Sequence, residues 1–302
     1  MMKSIDSPQW FNEALKLKPS VQSLKVDGVN INYLAWGEKN KPGILFVHGG
    51  MAHAHWWSFI APYFAKTHRV IAMNLSGMGD SDWRENYASE LWGKEIVEIA
   101  KYEKLNKPII VGHSLGGMCS VIAASQFKNE LYGLVIVDTA ILPPSEIPDK
   151  FDLKIKANKT YQSIDEAKSR FRLVPSQGNS LDYIMDYIAE KSLRKTDEGW
   201  TWKFDPSYMK IFNTDGFRER QAILSEKLAR LECRVAVFRG EKSMLFSESA
   251  SKYMRELTNK KTPIIAIPEA HHHIMVDQPL ALISALRALV TDWDHSNPAK
   301  AD

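Results

Sequence analysis

Val111-Gly112-His113-Ser114-Leu115-Gly116-Gly117 is the stretch whose reading decides the fold. The apolar run Pro108-Ile109-Ile110-Val111 leads into it, and a run of small, helix-compatible residues from Met118 to Gln126 leads out. A serine framed as G-x-S-x-G between a strand and a helix marks a tight turn that lifts the hydroxyl above the strand's C-terminal end. Such a turn admits only small residues beside the serine, which accounts for Gly112 and Gly116. The helix N-terminus and its dipole then lie beneath Ser114. The competing reading is a glycine-rich turn carrying an incidental serine. The strand before and the helix after favour the functional one.

The pattern repeats outward. Gly43-Ile44-Leu45-Phe46-Val47 is a continuous apolar run, as a strand buried on both faces should be, and it ends in His48-Gly49-Gly50-Met51. Arg69 to Leu75 is a second such strand, broken by the turn-forming loop Ser76-Gly77-Met78-Gly79-Asp80-Ser81-Asp82. Ser89 to Leu105 has apolar residues at helical spacing, and a helix is also expected from about His53 to Lys66. Downstream, Leu134-Val135-Ile136-Val137 closes on Asp138, Cys233 to Arg239 is followed by Gly240-Glu241-Lys242-Ser243, and Pro263 to Pro268 precedes Glu269-Ala270-His271-His272-His273. Strands alternating with helices imply an α/β fold, a mostly parallel central sheet flanked by crossover helices. Ser23 to Gly37, with Asp27-Gly28 in its middle, reads as an edge hairpin. A short amphipathic helix over residues 9–20 and a C-terminal helix from about Pro279 to Trp293 complete the chain.

Pro143-Pro144 marks a change. From residue 141 to 225 the buried-strand runs stop. Ser163-Ile164-Asp165-Glu166 is a capping-box start for a helix through about Phe171, Ser180 to Leu193 is amphipathic, and Trp200 to Phe204 is a short extended piece. The expected organisation is a core of residues 1–140 and 226–302 with an insertion at 141–225. Lysines and arginines from Lys150 to Arg172 outnumber the acids; a solvated face explains that, and a preference for acidic substrates is the alternative.

Composition narrows the function. Over 302 residues the net charge is only +3, with 44% hydrophobic and 25% charged residues. A chain this evenly balanced lacks the concentrated basic face that nucleic-acid or membrane binding needs. No apolar stretch reaches membrane-spanning length, and Met1 to Pro8 lack the apolar run of a signal peptide. The two cysteines, Cys119 and Cys233, form no CxxC pair and read as small buried residues suited to a reducing cytoplasm. His53-Ala54-His55 offers only two metal ligands, and adjacent side chains of His271-His272-His273 point apart on a turn, so no metal or cofactor is expected.

Taken in order, His48-Gly49-Gly50, the Ser114 turn and a histidine after the final strand resemble the α/β-hydrolase fold family over nearly the whole chain. Ser76 to Ser81 looks like the family's G-x-G-x-S loop, with Met78 where histidine is common. Ile267-Pro268-Glu269-Ala270-His271-His272 looks like its P-x-A-x-H ending. The resemblance implies Ser114 as nucleophile and His272 as base, with Gly50 and Leu115 N–H groups as an oxyanion hole and Met51 as a substitute for Gly50. For the acid, the family's usual position falls on Ser243. Asp138 is favoured and Glu241 is the alternative. Residues 141–225 would form a helical cap, and Met51, Trp56, Trp57, Met78 and His113 would line the substrate pocket.

The implied reaction is cleavage of a small or medium carboxylic ester or lactone through an acyl-enzyme, by a monomer or homodimer acting on a small molecule. Carbon–carbon bond hydrolases and perhydrolases share the fold. A ligand receptor retaining it is the non-enzymatic alternative. An aspartate-nucleophile hydrolase is disfavoured by Ser114.

Overall fold

The stretch around Ser114 folds as a five-residue strand, Ile109–His113, that runs into a helix, Leu115–Phe127. The computed structural model describes residues 6–127, 130–148, 158–178, 180–212, 216–258 and 260–296. Its strands in chain order are β1 (Ser20–Val26), β2 (Val29–Trp36), β3 (Gly43–Val47), β4 (Arg69–Met73), β5 (Ile109–His113), β6 (Gly133–Val137), β7 (Leu193–Thr196), β8 (Gly199–Trp202), β9 (Arg234–Gly240) and β10 (Ile264–Ile267). The helices are α1 (Gln9–Lys16), α2 (Ser89–Tyr102), α3 (Leu115–Phe127), α4 (Ile164–Ser169), α5 (Asp182–Lys191), α6 (Phe217–Ala229), α7 (Glu248–Leu257), α8 (Ile274–Asp277) and α9 (Pro279–His295).

Eight strands make one sheet in the order β1-β2-β4-β3-β5-β6-β9-β10, antiparallel at β1–β2 and β2–β4 and parallel from β4 onward. β1 and β2 are joined at Asp27 and Gly28, both with positive φ (48° and 83°), the twist a two-residue hairpin prefers. The central strands β3, β4, β5 and β6 are buried along their whole length, because both faces are covered. Leu45 and Val47 face a core shared with α2, α3, α6 and α7. Ile44 and Phe46 face the opposite core, with α1 and α9. All parallel strands therefore present their C-terminal ends at one edge, where Gly49, Ser114 and Asp138 emerge.

Two expectations change. Residues 53–66 form no continuous α-helix but two 3-10 turns, Ala54–Trp57 and Ala61–Tyr63. Pro62 has no N–H to continue an α-helical ladder, and the i→i+3 bonds Ile60 N–H to Trp57 O (2.9 Å) and Tyr63 N–H to Ile60 O (3.1 Å) replace it. The expected boundary at residue 225 falls inside α6, whose Leu224 and Leu228 are buried in the same core as α3. The helix therefore packs against α3 and α7 through Leu224 and Leu228 as part of the core. Between β6 and α6 lie α4, α5, the β7–β8 hairpin and a 3-10 turn, Pro206–Ile211. Ser163 Oγ accepts from Glu166 N–H (3.1 Å), capping α4 as its sequence implies. Within the basic stretch from Lys150 to Arg172, positions 150–157 lie outside the described residues, as do Met1 to Ile5. Among the described residues no helix is long and apolar enough to cross a membrane.

One buried charge pair ties β2 and β4 to the end of α2. Arg69 on β4 gives two hydrogen bonds to Glu103 Oε2 (3.1 and 2.8 Å), and Tyr33 OH donates to Glu103 Oε1 at 2.7 Å. All three side chains are buried. Glu103→Ala is expected to cost about 3–5 kcal/mol, since it leaves the Arg69 charge buried without its partner. Urea unfolding of the variant beside the parent measures this; a shift below ~1 kcal/mol would mean that water reaches Arg69.

Candidate active site

At the turn, Ser114 takes φ +52°, a left-handed conformation that a side-chain-bearing residue holds only when its surroundings enforce it. The enforcement is visible. Ser114 N–H donates to Val137 O (3.1 Å) and Thr139 Oγ1 donates to Ser114 O (2.9 Å), tying the turn to β6. A Cβ on Gly112 would lie 2.5 Å from Gly116 O, and one on Gly116 2.4 Å from His48 O. Gly117 meets the same limit against Thr139 Oγ1 at 2.1 Å, a constraint not legible before the fold was known.

Ser114 Oγ lies 3.0 Å from His272 Nε2, and His272 Nδ1 lies 2.8 Å from Asp138 Oδ1. Asp138 ends β6 with φ +44°. Its carboxylate also accepts from Gly240 N–H at Oδ2 (2.6 Å) and from the Ser243 hydroxyl at Oδ1 (2.6 Å). Ser243 thus stands where the resemblance puts a carboxylate and instead donates to one. Glu241 points elsewhere: its Oε2 accepts from Glu269 N–H at 3.0 Å.

The three consecutive histidines have three different partners. His271 Nδ1 contacts Asp277 Oδ2 (2.9 Å), His272 contacts Asp138, and His273 Nδ1 donates to Gln177 Oε1 (2.7 Å). Gln177 Nε2 in turn donates to Asp277 Oδ1 (2.5 Å), so one side chain of the inserted segment ties both neighbours of His272. Nothing in the sequence singled out Gln177. His113 Nε2–H donates to the His272 carbonyl (3.0 Å) and fixes that backbone. Burial first, with the repulsion that His272 would exert on a second charged ring adding to it, holds both His113 and His273 well below the usual imidazole range, so each is neutral.

Gly50, Met51, Trp56, His113 and Leu115 all line a cavity of about 190 Å3 above Ser114 and His272. Neither the Gly50 nor the Leu115 N–H donates to an oxygen of any described residue. The wall opposite is apolar, with Tyr208, Met209 and Phe212 supplied by the inserted segment. Two expected pocket residues are absent from it. Trp57 is fully buried and stacks on Phe46 (centroids 4.8 Å apart), because consecutive residues on a 3-10 turn diverge: Trp56 faces the cavity beside His273 while Trp57 enters the core. Met78 is also fully buried, beneath the inserted segment, where its loop is held by Gly79 N–H to Lys203 O (2.7 Å) and Asp205 N–H to Gly77 O (2.8 Å). His53 and His55 have separate hydrogen-bond partners. His53 Nε2 contacts Ser192 Oγ (2.8 Å), and His55 Nδ1 contacts Ser58 Oγ (3.1 Å).

A sequence profile described as alpha/beta hydrolase fold matches residues 42–278. The chain belongs to the α/β-hydrolase fold family. It is an enzyme of that hydrolase family, and its curated relatives carry such names. An esterase of Mycobacterium tuberculosis is 22% identical over 276 residues, covering 88% of each chain. Human epoxide hydrolase 4 is 28% identical over 118 residues, 38% of this chain and 33% of its own. Among solved structures, the Mycobacterium tuberculosis esterase superposes with a TM-score of 0.73 at 19% identity, covering 96% of this chain and 100% of that one. The thioesterase domain from the curacin biosynthetic pathway gives 0.73 at 20% identity, with 89% and 99% covered. As an α/β-hydrolase, the chain carries its hydrogen-bonded serine and histidine at the C-terminal edge of the parallel sheet, where such sheets place their chemistry.

Proposed function

We propose that this α/β-hydrolase is a serine hydrolase that cleaves a small or medium carboxylic ester or lactone through an acyl-enzyme. The observation that carries the reading is the chain Ser114 Oγ–His272 Nε2–Asp138, with contacts of 3.0 and 2.8 Å. His272 takes the Ser114 proton as Oγ attacks the carbonyl carbon. Asp138 holds the imidazole with its proton on Nδ1 and offsets the positive charge that forms. The free Gly50 and Leu115 N–H groups receive the developing oxyanion, each donor worth about 2.7–4 kcal/mol in the transition state. His272 then protonates the leaving alkoxide. Water, deprotonated by the same base, releases the acid and restores Ser114.

The inserted residues act as the cap: Val174, Pro175, Tyr208, Met209 and Phe212 close an apolar cavity over the serine, which favours an apolar group next to the scissile carbonyl. A fluorophosphonate probe tests the assignment. It is expected to label Ser114 alone, read by mapping the modified peptide; an unlabelled native protein, or a label elsewhere, would overturn it.

A further inference from the structure

A second chamber, of about 620 Å3, adjoins the catalytic cavity. The two share a wall of Gly50, Met51, Trp56, Val174 and His273. An ester whose carbonyl sits at the Gly50 N–H can place one half in the apolar cavity and run the other past Met51 and Val174 into the larger space. The two spaces differ in chemistry. Among the described residues the catalytic cavity has no lysine, arginine or carboxylate in its wall. The larger chamber has Lys159, Arg170, Arg172 and Lys203, and no carboxylate.

Among the described residues, only Lys203 of the four is neutralised, by Asp80 at 2.6 Å. Arg172 is steered by two backbone carbonyls, Ser169 O (2.9 Å) and Phe171 O (2.6 Å), which position the guanidinium without cancelling its charge. Among the described residues neither Lys159 nor Arg170 has a carboxylate partner. Three residues of the same wall also carry buried polar atoms with no partner: His53 Nδ1, Trp56 Nε1 and Asn158 Oδ1. Ser192 Oγ lies 2.7 Å from Ile188 O and 2.8 Å from His53 Nε2, so that side of the imidazole is paired and Nδ1 alone is left without a partner. Asn158 commits its NH2 group to Phe204 O (2.6 Å) and Trp202 O (3.3 Å), which leaves its oxygen free. Buried polar groups are normally paired, so their grouping here points to a ligand with polar groups of its own: the Trp56 indole N–H can donate to an anion, while the Asn158 oxygen calls for a hydroxyl or N–H donor on the same ligand.

We propose that this chamber recognises an anion: the physiological substrate is an ester bearing a carboxylate or phosphate on the half that extends beyond Met51 and Val174. The proposal rests on the Ser114 hydrolase reading and supplies the substrate class that reading lacks. It also gives the basic stretch ending at Arg172 a role other than solvation.

The test compares kcat/KM for neutral p-nitrophenyl pentanoate with p-nitrophenyl hemiglutarate and its phosphono analogue. The butyrate ester of 4-hydroxy-3-nitrobenzoate, set against o-nitrophenyl butyrate, places the charge on the leaving half instead. At low salt at least one anionic ester is expected to exceed its neutral counterpart by about tenfold or more, as a one-signed cleft concentrates an opposite charge. That ratio should fall toward one at high salt and in the Lys159→Ala/Arg170→Ala/Arg172→Ala variant. All three side chains are exposed, so alanine there leaves the packing intact. No anionic preference, or one that survives the triple change, would overturn the proposal, and whichever anion wins names its source. Absence of Ser114-dependent turnover of the neutral ester would sink the hydrolase reading instead. The chamber is then read by tryptophan fluorescence, titrating Ser114→Ala protein with monomethyl glutarate: binding weakened by the triple change supports the anion site, and no binding ends it.

Discussion

Ser114→Ala is expected to lower kcat for a short p-nitrophenyl ester by about a millionfold, close to the loss seen when the nucleophile of a serine hydrolase is removed. The expectation is specific because so little else changes. Alanine adopts the +52° φ of this turn at the same steric cost as serine, and the enforcing contacts, Ser114 N–H to Val137 O and Thr139 Oγ1 to Ser114 O, are made by backbone atoms. Only the 3.0 Å contact with His272 Nε2 is lost. Circular dichroism and the unfolding midpoint should therefore match the parent while turnover falls. Some rate above that of water should persist, because the Gly50 and Leu115 donors and the cavity remain, and such residual catalysis amounts to about 10³–10⁴. Turnover within about tenfold of the parent would place the nucleophile elsewhere.

The central features of the fold were legible because each has a local cause. Continuous apolar runs at β3, β4, β5 and β6 reflect burial on both faces, and the Asp27-Gly28 dipeptide reflects the positive φ of a hairpin turn. Gly112 and Gly116 reflect the approach of other backbone within 2.5 Å of their missing Cβ atoms. What stayed hidden depends on long-range placement. The contact of Ser243 with Asp138 spans 105 positions and that of Gln177 with His273 spans 96, and no periodicity encodes either. Trp56 and Trp57 are the same residue type at adjacent positions, and only the 3-10 geometry separates a cavity wall from a core ring stacked on Phe46. The end of the insertion was misplaced for a related reason. The charged surface of α6 (Arg218, Glu219, Arg220, Glu226, Lys227) hides the two leucines that tie it to the core.

Asp138→Asn is expected to cost about 10⁴ in kcat while Glu241→Gln costs less than a few-fold, and the reason lies in counting donors. Three donors converge on Asp138: His272 Nδ1–H and the Ser243 hydroxyl at Oδ1, and Gly240 N–H at Oδ2. A carboxylate accepts all three. An asparagine has a single oxygen, so its NH2 group must face at least one donor. With its oxygen toward His272, the amide opposes Gly240 N–H at the 2.6 Å approach that the oxygen now fills. Reversed, it donates to His272 Nδ1, which drives the ring proton onto Nε2, and an imidazole protonated there cannot take the proton from Ser114 Oγ. Either arrangement also removes the negative charge that offsets the imidazolium as it forms. Glu241 has no such position. Its carboxylate accepts from Glu269 N–H on the exposed side of the same turn, and glutamine keeps an oxygen for that bond. Steady-state kinetics of the two variants on one ester give the comparison directly. A large loss in Glu241→Gln with a small one in Asp138→Asn would move the acid to Glu241, and would require His272 to leave the 2.8 Å contact that it makes with Asp138.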